Sequence, residues 1–344
     1  MLSEAHWDRL APLLPPQKPW TGRPSLDHRT FIEAVLWLAR TGAPWRDLPP
    51  DLMNWRTVWR RLQRWTAAGV WERVVDALRA MAADAGWETH MLDSTVIRAH
   101  AHAAGARKAT GGQALGRSRG GFSAKLHLRC DARGRPVTFH LTGGERHDLI
   151  GVGPLFERGA LRTGRRGRPR WKPEAIIGDK AYSAAWLLDV LRRKRIVPVI
   201  PSRSDQPDNP DFDREVHRER NLIERLVGKL KRFRRVATRY DKLDPYYLAF
   251  VRLASVTVWL RGLGRVRRPE RPAARGASAL RDPVPAAPQP SSARAPSHNA
   301  RTTSAAGSAR ASAAACPAQA CIRSTSFASV AAARIGPVSP RCTG

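Results

Sequence analysis

The sequence contains little cysteine, and its cysteines are not arranged for metal binding. The 344 residues include only four, at Cys130, Cys316, Cys321 and Cys342. No pair has the spacing of a zinc finger, and no disulfide framework is indicated. The sequence therefore predicts free thiols in a reducing compartment.

Long apolar runs are also absent. A transmembrane helix needs about 20 consecutive apolar residues, and no run in this chain approaches that length. The chain does not open with the basic, apolar and cleavage regions of a secretory signal. These absences predict a cytoplasmic protein without a membrane anchor.

Acidic residues are scarce relative to basic ones. The chain has 29 Asp and Glu against 60 Lys and Arg, which gives a formal net charge of +31. The excess is spread along the chain and is not confined to one basic tail. Such a charge predicts a polyanionic partner, with nucleic acid favoured and a membrane surface as the alternative. Nucleic acid as partner would make this a nucleoid-associated protein.

Residues 1–85 show the pattern of a small all-helical unit. Apolar residues recur at helical spacing over residues 2–14, 31–40, 55–65 and 71–83. Ser3 and Asn54 are predicted helix caps, and Gly42 is a predicted helix stop.

The third predicted helix of this unit is rich in arginine. Arg56, Arg60, Arg61 and Arg64 are expected to project from it. A turn followed by an arginine-rich helix is typical of a helix-turn-helix unit that binds DNA. The alternative is a packing bundle whose arginines are merely solvated.

From residue 86 to 263 the pattern predicts a mixed sheet with helices on its faces. Strands are indicated at residues 89–97, 122–130, 136–141, 174–179 and 196–200, and the turn at 131–134 predicts a hairpin. Helices are indicated from a Ser183 cap to about Arg193, over residues 217–231, and as a last amphipathic helix over 243–260. This order predicts an α/β protein, and a ribonuclease-H-like core is one such arrangement.

Residues 264–344 have a different composition. They are rich in Ala, Ser, Pro and Arg and show no apolar periodicity. The composition predicts a disordered tail. A second interpretation is coding sequence carried past an original stop.

Three carboxylates are the candidate chemical residues. Asp93 and Asp179 each end an apolar strand, and Glu224 shares one stripe of a predicted helix with Arg220 and Lys231. Each acid also has an ordinary structural interpretation. Asp93 would cap a turn, Asp179 would cap a helix start, and Glu224 would pair with Arg220.

The combination of these acids favours a metal site. Carboxylates that converge repel one another unless cations neutralise them. Magnesium prefers oxygen ligands and phosphate substrates. Two such ions about 4 Å apart stabilise the attacking and leaving oxygens in phosphoryl transfer.

Several motifs carry a family resemblance over roughly residues 1–262. They are Leu92-Asp93-Ser94-Thr95, Gly116-Arg117-Ser118-Arg119-Gly120-Gly121, Ser123-Ala124-Lys125-Leu126-His127, Gly144-Glu145-Arg146-His147-Asp148, Gly178-Asp179-Lys180-Ala181-Tyr182 and Arg220…Glu224…Lys231. With them the chain resembles the bacterial insertion-sequence transposases of the insertion sequence five family, in the DDE group. His217 stands where the related signature has Tyr, and it still offers a ring that stacks or donates a hydrogen bond.

The resemblance implies a DNA transposase that cuts at insertion-element ends and joins them to target DNA. It implies that Asp93, Asp179 and Glu224 hold two Mg²⁺ or Mn²⁺ ions, and that Arg220, Lys231 and Lys125 contact DNA. The expected partner is double-stranded DNA with terminal inverted repeats, bound by a homodimer or larger assembly. A relic that only binds DNA, or a nuclease without strand transfer, are the alternatives.

Overall fold

The structure is a computed structural model of the chain, and it describes residues 2–17, 26–82, 86–105, 113–118, 120–160 and 172–263. Its helices are α1 (Glu4–Leu10), α2 (His28–Thr41), α3 (Trp55–Ala67), α4 (Val70–Met81), α5 (Val152–Glu157), α6 (Ala185–Arg193), α7 (Arg214–His217), α8 (Asn221–Lys231), α9 (Arg234–Ala237) and α10 (Asp244–Leu263). Its strands are β1 (Thr89–Ala99), β2 (Gly116–Ser118), β3 (Gly121–Asp131), β4 (Pro136–Gly143), β5 (Ala175–Ile177), β6 (Val197–Val199) and β7 (Thr238–Arg239). The predicted tail lies outside the described residues.

The ends of the first helices follow from local chemistry. Ser3 accepts a hydrogen bond from the His6 amide, and Asn54 accepts one from the Arg56 amide, so both predicted caps are confirmed. Helix α2 ends at Gly42, whose φ of 69° is a left-handed conformation that glycine adopts without strain.

The main strands form one mixed sheet in the order β4-β3-β1-β5-β6. Strand β3 runs antiparallel to both β1 and β4, whereas β5 and β6 run parallel to β1. Counted along the chain, these five strands have the order 3-2-1-4-5 with only the second reversed. This order confirms the predicted ribonuclease-H-like core.

Helices cover both faces of the sheet. Met91, Ile97 and Leu128 point to one face and share a core with α2, α3, α4, α8 and α10. Leu92 points to the opposite face and packs against α5 and α6. The N-terminal helices and one face of the sheet thus share one apolar cluster, while a domain boundary at residue 85 stays a prediction.

Three elements differ from their predictions. The helix expected over 217–231 begins at Arg214 and passes through a 3-10 turn over Arg218–Arg220 before α8. Ser183 does not cap α6, because its hydroxyl donates to the Lys180 carbonyl instead. Helix α10 is apolar around most of its circumference, as expected for a helix buried on all sides.

The described residues include no helix that is both long and apolar enough to cross a bilayer.

Candidate active site

Asp93 and Asp179 lie side by side on the neighbouring strands β1 and β5. Asp179 follows the end of β5, as predicted, but the prediction that Asp93 ends a strand is wrong, because β1 continues past it to Ala99. Strand β5 pairs in parallel with β1, and Met91 is directly opposite Ile177. Each aspartate follows its member of that pair by two residues, so the sheet register brings the two carboxylates to the same position. The sequence-based prediction that they converge depended on these strands being neighbours, and they are.

Glu224 reaches the two aspartates from helix α8. It lies in the first turn of α8, whose Ile223, Leu226 and Leu230 are buried in the core that includes Met91. Burial of that apolar stripe fixes the rotation of the helix. Glu224 on the adjacent stripe, and Arg220 at the end of the preceding 3-10 turn, therefore lie beside the two aspartates.

One guanidinium joins the three carboxylates. The Arg220 Nη2 atom is 3.4 Å from Asp93 Oδ1 and 3.9 Å from Asp179 Oδ2. The Arg220 Nη1 atom donates to Glu224 Oε1. The structure thus brings together all three predicted acids, and Arg220, which is predicted to contact DNA, lies among them.

Asp179 and Glu224 also make the ordinary structural contacts that were considered for them. Asp179 Oδ1 accepts a hydrogen bond of 2.9 Å from the Ala181 amide and caps a 3-10 turn over Lys180–Tyr182. Glu224 pairs with Arg220 four residues earlier. Both acids nevertheless remain in the site. Asp179 Oδ2 still faces Arg220, and the partner of Glu224 is that same arginine.

The electrostatic balance at the site is negative. The pKa of Asp93 is raised, first by burial and then by the neighbouring charges of Asp179 and Glu224, although Arg220 opposes the shift. The Arg220 Nε atom is buried and has no hydrogen-bond partner among the described residues. Three carboxylates therefore share one cation that does not use all its donors.

The donor set suits a hard divalent cation. Carboxylate oxygens are the ligands that magnesium and manganese prefer, and here a single guanidinium stands among three of them. Within the described ranges, no three His, Cys, Asp or Glu side chains are grouped closely enough to hold a metal ion as they stand. A cation attracted by these carboxylates would compete with the guanidinium that stands among them.

Lys231 is the last residue of α8, and His217 ends α7 just before the turn that leads to α8. Lys231 is exposed, and it lines a small cavity together with Thr95 and Val227. The His217 ring donates from Nε2 to the Gly178 carbonyl at 3.2 Å and packs edge-on against Phe212. The histidine thus fastens the helix to the residue that precedes Asp179.

The arginines of α3 divide into two groups. Arg56, Arg60 and Arg64 are exposed, as predicted. The expectation that Arg61 projects toward DNA is wrong, because that residue is only 3% exposed. Its guanidinium lies over the Phe31 ring and donates to the Asp27 carbonyl.

Lys125 and three neighbouring residues form a second cluster behind Asp93. The Lys125 ammonium is 2.9 Å from Asp148 Oδ1, and the Ser94 hydroxyl donates to the same oxygen. Tyr182 is buried beside them. The sequence motifs contain these residues, but nothing in the sequence alone indicates that Asp148 reaches Ser94 across 54 positions.

Comparison with protein families identifies both parts of the chain. Residues 2–75 match a family described as putative transposase of the IS4/5 family, and residues 89–259 match the transposase DDE domain. Between them these matches span the N-terminal helices and the sheet.

Individual relatives agree with the family matches. The putative transposase for insertion sequence element IS6501 of Brucella ovis is 32% identical over 144 residues, which are 41% of this chain and 100% of the relative. The putative transposase for insertion sequence element IS402 of Burkholderia cepacia is 29% identical over 147 residues, which are 43% of this chain and 66% of that protein. An uncharacterised Sinorhizobium fredii protein, y4sN, is 42% identical over 112 residues, covering 33% of this chain and 87% of its own length.

Among solved structures, the Mos1 transposase paired-end complex with the left transposon end matches at a TM-score of 0.22 and 13% identity. The match covers 62% of this chain and 81% of that one. By its family matches and its relatives, the chain belongs to the IS4/5 family of insertion-sequence transposases and carries their DDE domain.

Proposed function

We propose that this protein cuts DNA at the ends of an insertion element and joins the freed ends to target DNA. The observation that supports this most is the convergence of Asp93, Asp179 and Glu224 on the guanidinium of Arg220. A site with this donor set suits phosphodiester chemistry in a protein of net charge +31.

The proposed reaction has two balanced steps. In cleavage, a water oxygen bonds to the phosphorus while the bond to the 3′ oxygen breaks, which leaves a 3′-hydroxyl and a 5′-phosphate. In joining, that 3′-hydroxyl attacks a target phosphodiester, and one target 3′ oxygen leaves. In both steps the proton of the attacking oxygen passes to solvent, and the leaving oxygen takes one up.

Each residue has a proposed role. Asp93, Asp179 and Glu224 would hold Mg²⁺ or Mn²⁺, as two ions, and these supply charge for the attacking and leaving oxygens when bound. Arg220 is the group that must turn away from the carboxylates, and its planar fork suits a bidentate contact with a DNA phosphate. Lys231, at the far end of the same helix, would contact the backbone as a point charge.

The proposed partners follow from the exposed cations and from the family. Double-stranded DNA carrying terminal inverted repeats would be bound by the N-terminal helices, and target DNA by the sheet edge. Joining two ends requires two active sites in one complex, so we propose a homodimer or a larger assembly on DNA.

A relic that binds DNA without cutting it is the second candidate. His217 in place of the family's Tyr and the Arg220 guanidinium among the acids both favour it. Nicking of a labelled duplex that carries the element's end, with Mn²⁺ and with a chelator, decides between the two. Chelator-sensitive nicking supports the enzyme, and end-specific binding without nicking at any Mn²⁺ concentration supports the relic.

The exposed arginines of α3 give a separate prediction about end binding. Changing Arg56, Arg60 and Arg64 together to Ala is expected to weaken binding to end DNA without unfolding the protein. If they contact only phosphates, random DNA loses as much affinity, and the salt dependence falls by about one ion per arginine. Base contacts would cost about 1–3 kcal/mol each on end DNA alone.

Fluorescence anisotropy at several salt concentrations makes this measurement. A matched variant with Arg9, Arg40 and Arg193 changed to Ala removes the same charge from exposed positions on α1, α2 and α6. Equal losses of affinity for end DNA in the two variants would mean that α3 is a packing helix whose arginines are only solvated.

A further inference from the structure

The strand that carries Asp93 is also held from its opposite face. Side chains alternate along β1, so Ser94 points away from Arg220. Its hydroxyl donates to Asp148 Oδ1 at 2.5 Å. The immediate neighbour of a proposed metal ligand is therefore bonded to an acid that the reaction does not use.

Asp148 also connects β1 to β3. It starts a 3-10 turn just after β4, and its Oδ1 accepts from Lys125 Nζ at 2.9 Å. Burial favours the neutral carboxyl, but the hydrogen bonds from Ser94 and Lys125 outweigh it and lower the pKa of Asp148. Asp148 is therefore an ionised acceptor with two donors, and Lys125 is only 14% exposed.

Tyr182 extends this cluster to the strand that carries Asp179. It ends the 3-10 turn that Asp179 caps, and it is 1% exposed. Its ring packs against Gly178, where a Cβ would lie 3.3 Å from Cδ2. Its hydroxyl is buried near Ser94 and Asp148.

We infer that Asp148 is a positioning residue: with Ser94, Lys125 and Tyr182 it fixes the backbone segments that carry Asp93 and Asp179. This inference rests on the proposed cleavage reaction. It also gives Lys125 a role that differs from the predicted DNA contact, since its ammonium is paired with Asp148 on the face of β1 opposite Asp93. Small displacements of reacting groups lower rates strongly, so the cluster matters most at the chemical step.

The test uses Asp148→Asn, Lys125→Met and the double variant in the full chain. Asp148→Asn is expected to lower the nicking rate about 10-fold at saturating DNA and Mn²⁺, because strand β1 loses an anchor. Affinity for end DNA, measured in chelator, should change by less than about twofold, since no DNA contact is removed. The Mn²⁺ concentration for half-maximal binding, followed by the free-ion electron paramagnetic resonance signal, should rise.

Lys125→Met provides the discriminating result. In the Asp148→Asn background it should partly restore the rate, because it removes an ammonium left without its carboxylate. If Lys125 contacts DNA, Lys125→Met should instead weaken binding to end DNA both in the wild type and in the Asp148→Asn background. Asp189→Asn is the matched control, since that aspartate is 55% exposed and 3.9 Å from its arginine.

The outcomes separate the inference from the proposed function. If the wild type nicks and Asp148→Asn matches it in rate and Mn²⁺ affinity, the inference fails and the function stands. If the wild type binds Mn²⁺ but never nicks, the function fails, and the Mn²⁺ affinity of Asp148→Asn still decides the inference. A wild type that binds no Mn²⁺ overturns both. Should Asp148→Asn not fold, Ser94→Ala gives the same readouts.

Discussion

Glu224→Gln is expected to lower the nicking rate by about 100-fold or more while leaving binding to end DNA intact. The substitution keeps the shape of the side chain and removes its charge. If Glu224 helps to hold the metal, the remaining two acids misplace it, and a reaction that depends on positioning is lost. DNA affinity should persist or increase, because a negative charge near the phosphates has been removed.

If Glu224 only forms a surface ion pair, Glu224→Gln should have a small effect. Glu224 has a side chain that is 57% exposed, and it pairs with Arg220 one turn away. A surface pair of this kind contributes only a few tenths of a kcal/mol. Were this its whole role, Glu224→Gln would cut at nearly the wild-type rate.

The assay is nicking of an end-labelled duplex with Mn²⁺ against a chelator control. Glu219→Gln is a matched control, because Glu219 is exposed on the turn just before α8. Asp93→Asn and Asp179→Asn should behave as Glu224→Gln does. Double variants should be little slower than single ones, since the three acids act as one unit.

The positions of Asp179 and Glu224 could be predicted from the sequence because they depend on short-range regularities. Asp179 directly follows an apolar strand, and helical spacing places Glu224 on the stripe of Arg220. Asp93 does not end its strand, because β1 stays paired with β3 as far as Arg98. What remained open was whether the strands of Asp93 and Asp179 are neighbours. Strand pairing depends on residues far apart in the chain.

The errors also have identifiable causes. Arg61 lies three residues after Val58 and four before Trp65, so helical spacing already places it on the buried face. Its charge alone suggested solvent, and its partners near residue 28 lie 33 positions away. Ser183 fails as a cap because the turn that Asp179 starts leaves its hydroxyl beside the Lys180 carbonyl.

Arg220→Ala is the second substitution with a large expected effect. It should lower the stability of the metal-free protein and raise its affinity for Mn²⁺. Without the guanidinium, three carboxylates repel one another in a partly buried site. The free energy of unfolding of the metal-free protein should fall by on the order of 2 kcal/mol at neutral pH. The nicking rate should fall as well, since the group proposed to contact the DNA phosphate is gone.

The affinity for Mn²⁺ should instead increase in Arg220→Ala. In the wild type, a bound cation must displace Arg220 from the acids, and this competition weakens binding. In the variant nothing has to be displaced, so Mn²⁺ should raise the melting temperature by more than it does in the wild type. Arg220→Lys should fall between the two, because one ammonium does not reach three acids as a planar fork does.

Thermal unfolding in a series of Mn²⁺ concentrations, without DNA, makes this measurement. Arg225→Ala is the control, because that arginine is exposed on the same helix and carries the same charge. A smaller Mn²⁺ stabilisation in Arg220→Ala than in the wild type would mean that the guanidinium supports the metal site and does not compete with it. Arg220 would then belong with the groups that orient the acids, and its proposed move to the DNA phosphate would be wrong.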